Sequence, residues 1–174
     1  MTDPWLLQLV AWHNFYLLLG TAAATLTGLM FVVVSLGPQL IAAHTATGVR
    51  AFATPTVVYF ATVLLVAALM MVPAVPAPLL GALLALGSLG GLYYLGRAGA
   101  HTQWRQAKLD WLDWLWYVGL PIVSYLLLLG AAVGLGLRHP LGLASGAAAV
   151  LLLLIIGIRN AWDAVLVVAQ QHRT

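Results

Sequence analysis

Charge is what this chain has least of. Only 6% of its 174 residues are Asp, Glu, Lys or Arg, whereas 63% are hydrophobic and the mean hydropathy is +1.02. A soluble domain carries charge on roughly a quarter of its residues, so this composition excludes a soluble fold and points to an integral membrane protein. Cysteine is absent altogether, which removes disulfides, thiolate metal sites, cysteine nucleophiles and iron–sulfur ligation together. There is also no HExxH, GxSxG, phosphate-binding loop or dinucleotide fingerprint. Asp110 and Asp113 have the residue types of an acid–base pair, but no nucleophile or metal ligand stands near them in sequence, and no enzyme active site is expected. The five histidines, His13, His44, His101, His139 and His172, lie away from the span centres and without ligand spacing on any one helix, so neither haem nor zinc nor another cofactor is expected.

What is present is a series of apolar runs, each about the 20 residues needed to cross a hydrocarbon core. Five spans are expected, at about 14–36, 51–72, 79–96, 111–137 and 143–170, in a single all-α transmembrane domain covering 1–174. The start Met1-Thr-Asp-Pro lacks the positive region and cleavage site of a secretory signal, so it is expected to stay in the mature protein. Asp3-Pro4 reads as a helix N-cap followed by the first helical position. Gly37-Pro38 is expected to stop the first span, and Pro55 to sit in the first turn of the second. Pro73 to Pro78 makes a tight turn, residues 97–109 form the longest polar stretch, and Arg138-His-Pro140 makes the last turn.

The seven Lys and Arg exceed the four Asp and Glu, giving a net charge of +3. No nucleic-acid motif accompanies that excess, so it reports topology. Placing Arg97, Arg105 and Lys108 in the cytoplasm also puts Arg50 and Arg173 inside, which gives N-terminus out and C-terminus in. Trp104, Trp111, Trp114, Trp116 and Trp162 then gather at the inner interface, with Trp5 and Trp12 at the outer one. The fifth span carries Arg159, Asn160 and Asp163 within about one turn. Counting 20 residues from its outer end puts them near the cytoplasmic boundary, where charges snorkel or pair at low cost. An interfacial pair that fixes helix depth is the ordinary reading. Arg before Asp at i,i+4 is the weaker orientation, however, which favours partners on other helices, with Asp110, Asp113, Arg50 and Arg97 available to complete a charge cluster.

Two helix faces are polar or small. In the first span Asn14, Thr21, Gly28 and Ser35 recur every seven residues, with Thr25 on the same stripe. In the fourth, Asp110, Asp113, Tyr117, Pro121 and Ser124 follow helical spacing. Such faces serve either close helix packing, at roughly 1 kcal/mol per contact, or the lining of a narrow hydrated path. Gly87/Gly91, Gly130/Gly134 and Gly142/Gly146 are GxxxG pairs, and Gly20, Ala24 and Gly28 form a ladder of small residues, all of which promote a compact bundle.

The run from Phe15 through Gly20-Thr-Ala-Ala-Ala-Thr-Leu-Thr-Gly28 to Leu36, followed by Arg50-Ala51, resembles a loosely defined set of small bacterial multi-pass membrane proteins with no assigned activity. The resemblance covers the first two spans and implies a bacterial inner (plasma) membrane. The clustering of tryptophan at interfaces, without a proline-rich loop pattern, separates the chain from the tryptophan-rich sensory proteins of the same size.

Two functions remain. One is an oligomeric channel or passive transporter for a small ion or polar solute, whose pathway is lined by Asn14, Thr21, Thr25, Gly28, Ser35, Tyr117 and Ser124. The excess of basic residues makes an anion or neutral solute a better match than a cation. The other is a non-transporting scaffold or regulatory subunit that binds other membrane proteins. Five helices enclose little space, so assembly into a homo-oligomer within the lipid bilayer is expected for the first. The topology is tested in the cysteine-free background: cysteines placed at Thr2 and Thr102 should be labelled by an impermeant thiol reagent from opposite sides of the membrane. Labelling from one side overturns the five-span arrangement.

Overall fold

The structure, a computed structural model, describes residues 4–40, 46–73, 75–101 and 111–171. The described residues form helices and short turns, with no strand among them. Helix α1 is Pro4–Leu40, α2 Ala46–Met71 and α3 Ala77–His101. The fourth long apolar segment is built from α4 (Trp111–Trp114), a π-helical turn (Leu115–Gly119) and α5 (Leu120–Gly136), and α6 is Leu141–Gln171. Five of these segments, at 7–33, 54–71, 77–97, 115–136 and 141–163, are long and apolar enough to cross a membrane.

Prolines account for the differences from the sequence expectation. Helix α1 begins at Pro4, whose fixed φ suits a first turn; Asp3 lies outside the described residues. The helix then runs through Gly37-Pro38 to Leu40, because a proline in a last turn removes only one backbone hydrogen bond. Helix α2 starts at Ala46 rather than 51, so Pro55 stands in its interior and withholds an N–H from the carbonyl four residues back. The fourth span is not one continuous α-helix, for a reason given with the site below.

The turn between α5 and α6 is closed by backbone bonds. His139 N donates to Gly134 O at 2.7 Å and Arg138 N to Leu135 O at 3.0 Å, the paired pattern of a Schellman cap. Arg138 takes the left-handed conformation that cap requires, at φ 55°, without being glycine. His139 Nδ1 accepts the Leu141 N–H at 3.3 Å, which satisfies one of the free donors at the start of α6.

Helix α1 packs on α2, α2 on α6, α6 on α5 and α5 on α3. This order makes α6 the centre: 56% of its apolar window is buried, against 28–39% for the other four. Glycines let it approach its neighbours. A Cβ on Gly142 would meet Leu135 N at 2.6 Å and the Gly134 carbonyl carbon at 2.8 Å, and a Cβ on Gly146 would meet Tyr16 Oη at 2.9 Å. Gly157 leaves room for the ring of Phe60 in α2, and Gly91 in α3 for the ring of Tyr125 in α5. The buried side chains Tyr16, Tyr59, Phe60, Leu128, Leu153 and Ile156 fill the space between. Hydrogen bonds that tie helices together include Tyr16 Oη to Leu143 O at 3.4 Å, Ser145 Oγ to Leu127 O at 2.6 Å, and Thr62 Oγ1 with Tyr125 Oη at 3.1 Å.

These contacts predict opposite effects for two glycines. Gly142→Ala forces apart two backbones and should destabilise the fold by about 1–3 kcal/mol. A Cβ on Gly87 meets nothing within 4 Å, so Gly87→Ala should be neutral or stabilising by up to about 1 kcal/mol. Arg138→Gly relieves a left-handed penalty of about 1–2 kcal/mol and adds an unfolded-state entropy cost of about 0.5–1 kcal/mol, for a small net gain. Unfolding in detergent, followed by circular dichroism, reads all three.

Candidate functional site: a polar cluster where the π-turn faces α6

Pro121 organises the site. An α-helical proline at this position would drive its ring into the carbonyl of Tyr117, four residues back, and has no N–H to give it. The chain responds by widening the preceding turn: the Leu120 N–H reaches back five residues to the Leu115 carbonyl. Gly119 sits within this wider turn, where a Cβ would press on Leu115 Cδ1 at 3.2 Å.

From the widened turn Trp116 and Tyr117 both reach α6. Tyr117 Oη donates to Asp163 Oδ2 at 2.7 Å, and the Arg159 guanidinium carbon lies 4.4 Å from the centroid of the Trp116 ring. Arg159 Nε and Asp163 Oδ2 are 3.9 Å apart, with side chains 32% and 30% exposed. A partly exposed i,i+4 pair at that distance contributes about 0.5 kcal/mol or less. The hydrogen bond to a carboxylate contributes about 1.5–3 kcal/mol when well buried, and the cation–π contact about 0.5–2 kcal/mol. The contacts to the π-turn therefore outweigh the pairing within α6. The partners these contacts give Arg159 and Asp163 on another helix are aromatic.

Asn160, between them in sequence, is 2% exposed, and its Oδ1 has no hydrogen-bond partner among the described residues. An amide oxygen buried without a donor costs about 1–3 kcal/mol.

Of the other expected cluster members, the side chain of Arg97 alone is described. Arg97 Nη1 donates to Tyr93 Oη at 3.3 Å in its own helix, with the guanidinium 5.9 Å from that ring. Asp110, and the side chains of Arg50 and Asp113, lie outside the described residues.

The described parts of the two polar stripes do not meet within the bundle. Asn14, Thr21, Thr25, Gly28 and Ser35 all lie on the exposed face of α1. Thr21 donates to Leu17 O at 2.8 Å, Thr25 to Thr21 O at 2.9 Å and Ser35 to Phe31 O at 2.7 Å, and a Cβ on Gly28 would meet nothing within 4 Å. Ser124 is buried in the bundle and donates to Leu120 O at 2.8 Å. Tyr117 belongs to the α6 cluster. The small-residue ladder divides in the same way, since a Cβ on Gly20 would meet Ala67 Cβ in α2 at 2.8 Å whereas Gly28 stays open.

Sequence reasoning did not foresee the role of Trp116 or the Thr62–Tyr125 link. The signal for the first was Pro121 four residues after Tyr117. For the second there was none, because α2 and α5 are distant in sequence. No group of three His, Cys, Asp or Glu among the described residues is arranged to hold a metal ion. A shallow apolar groove of about 320 Å³ lies between α3 and α5, lined by Gly81, Ala85, Ala132 and Gly136 among others. No protein-family model, curated protein or solved structure matches the chain.

The cluster predicts coupling between two helices. In a double-mutant cycle of Tyr117→Phe and Asp163→Asn, the coupling free energy should be about 1 kcal/mol, the buried value reduced for partial exposure. Arg159→Gln and Trp116→Leu should couple by about 0.5–1 kcal/mol. Additive single-mutant effects on unfolding would contradict both contacts.

Proposed function

We propose that the chain is the protomer of a homo-oligomeric, multi-pass protein of the bacterial inner membrane, acting as a channel or passive transporter for a small ion or polar solute. In this reading the N-terminus is outside, and the C-terminus and the 97–109 linker are cytoplasmic. The observation that carries the proposal is the exposure of Asn14, Thr21, Thr25, Gly28 and Ser35 along one side of α1. A transmembrane helix does not turn a face of hydroxyls and an amide to lipid without cause, and a neighbouring protomer is a partner that lets every copy cover it at once. Several copies of α1 around an axis would line it with hydroxyls and glycine. The excess of basic over acidic residues favours an anion or neutral solute as cargo.

A second reading, a scaffold or regulatory subunit, is supported by the hydroxyls themselves. Thr21, Thr25 and Ser35 each donate to a carbonyl of their own helix, which leaves a small, nearly apolar surface suited to helix packing. Gly87, Gly90 and Gly96 on α3 are similarly open.

Cysteine cross-linking and flux separate the two. A cysteine at Gly28 or Thr21 should form disulfides between protomers under oxidation, and one at the fully buried Ala23 should not. In liposomes, Thr25→Leu should abolish solute flux without altering the unfolding midpoint, because a ring of leucines makes a dewetted constriction. Cross-linked protein that passes no ion or small solute under any gradient leaves the scaffold reading.

A further inference from the structure

We propose that the groove between α3 and α5 holds an acyl chain of one anionic phospholipid, whose phosphate is bound by Arg138 and His139 at the membrane edge. The site is separate from the exposed face of α1, because α3 stands at the other end of the packing order α1–α2–α6–α5–α3. It therefore does not depend on whether the assembly conducts.

Small residues build the groove. Gly81 lets the two backbones touch, since a Cβ there would meet Ala132 O at 2.6 Å and Gly136 Cα at 3.0 Å. Pro78, Ala82 and Ala85 of α3 and Val133 and Leu137 of α5 line about 320 Å³ of apolar space beside that contact. A methylene is close in bulk to a water molecule, which takes about 30 Å³, so the groove admits roughly ten of them. Depth selects the occupant. From Pro78 to Ala85 the groove descends about 10 Å, which stays within one leaflet of a hydrocarbon core about 30 Å thick. Beyond it the ring of Tyr125 lies against Gly91 and closes the seam. A transmembrane helix of a second copy or of another protein would need a groove along the whole span, whereas a lipid chain needs only this length.

The mouth of the groove carries the positive charge. The apolar segment 77–97 begins beside it and the segment 115–136 ends beside it, so the groove opens at the edge of the apolar zone. Leu137, which lines it, is followed by Arg138 and His139, both exposed. A guanidinium presents five N–H donors in a fork that fits phosphate oxygens. His139 Nδ1 accepts the Leu141 N–H at 3.3 Å, which leaves the proton of the neutral ring on Nε2 as a second donor. Arg138 also keeps its side chain at φ 55°, in a cap position that glycine usually fills, and a residue held in that conformation points to a use for its guanidinium. An apolar groove that ends in a cation complements a molecule whose apolar chain ends in an anion.

The test adds phosphatidylglycerol, or phosphatidylcholine with the same chains, to purified full-length protein in a neutral detergent and follows the unfolding midpoint. A ligand bound only by the folded state raises that midpoint, so phosphatidylglycerol should raise it saturably and phosphatidylcholine should need about ten-fold more or fail to act. Glycerol phosphate, which has the phosphate without the chains, should leave the midpoint unchanged. Arg138→Gly should move half-saturation by phosphatidylglycerol about ten-fold upward or more, and Arg138→Lys, which keeps the charge, should retain a preference for it. Ala82→Leu, which fills the groove from an exposed position, should weaken binding to a similar degree. Equal responses to the two lipids overturn the proposal, as does a response to glycerol phosphate that matches the lipid's, or an undiminished response in Arg138→Gly or in Ala82→Leu. If Ala82→Leu fails to fold, Ala82→Val takes its place with the same two outcomes.

Discussion

The closeness with which α6 meets its neighbours determines the rest of this fold. Two backbones touch only where neither carries a side chain, and Gly142 against Gly134 is such a point. Gly146 beneath Tyr16 and Gly157 beneath Phe60 add two more along the same helix. Each contact fixes the rotation of α6 about its axis as well as its distance. With rotation fixed, Leu153, Ile156 and Asn160 must face inward, while Leu151, Ile155, Ile158 and Trp162 face outward. The burial of Asn160 thus follows from glycines elsewhere on the helix, and its lack of a partner is a consequence of packing.

Much of this was legible in the sequence. The number of long apolar helices and the close approach of α5 and α6 at GxxxG glycines follow from hydropathy and from the spacing of small residues. The proline effects were less legible, because a proline marks a disturbance without stating its form. Pro38 and Pro55 are absorbed within continuous helices, whereas Pro121 widens a turn. Which outcome occurs depends on what the neighbouring helices offer in return, and here Trp116 and Tyr117 gain Arg159 and Asp163. Nor does periodicity say which way a stripe faces. The α1 stripe and Ser124 have similar residue types and helical spacing, yet one lies outside and the other inside. Glycine contacts decide it: Gly20 finds Ala67 and turns Ala23 inward, which leaves Thr21, Thr25 and Gly28 out.

The polar groups fall into three kinds according to how they are satisfied. Thr21, Thr25, Thr27, Ser35, Ser88 and Ser124 return a proton to their own helix, a local solution that is available to any hydroxyl in an apolar setting. Tyr16, Ser145 and Tyr125 bond across helices and fix relative position. Asn160 does neither. Its Oδ1 is buried and meets no donor among the described residues.

This division constrains where a solute could travel. The interior of the bundle is packed by Tyr16, Tyr59, Phe60, Tyr125, Leu128, Leu153 and Ile156, each with almost no exposed surface, so Ser124 and Ser88 sit in a closed core with their protons already given to carbonyls. A continuous hydrated route through that core would require several large side chains to leave their packed positions, each at a cost of about 1.5–3 kcal/mol in exposed apolar surface. The exposed face of α1 needs no such opening, because Asn14, Thr21, Thr25, Gly28 and Ser35 already lie along its length on the surface. On the proposed reading, transport would therefore run along exposed α1 faces brought together by assembly and not through the closed interior of one chain.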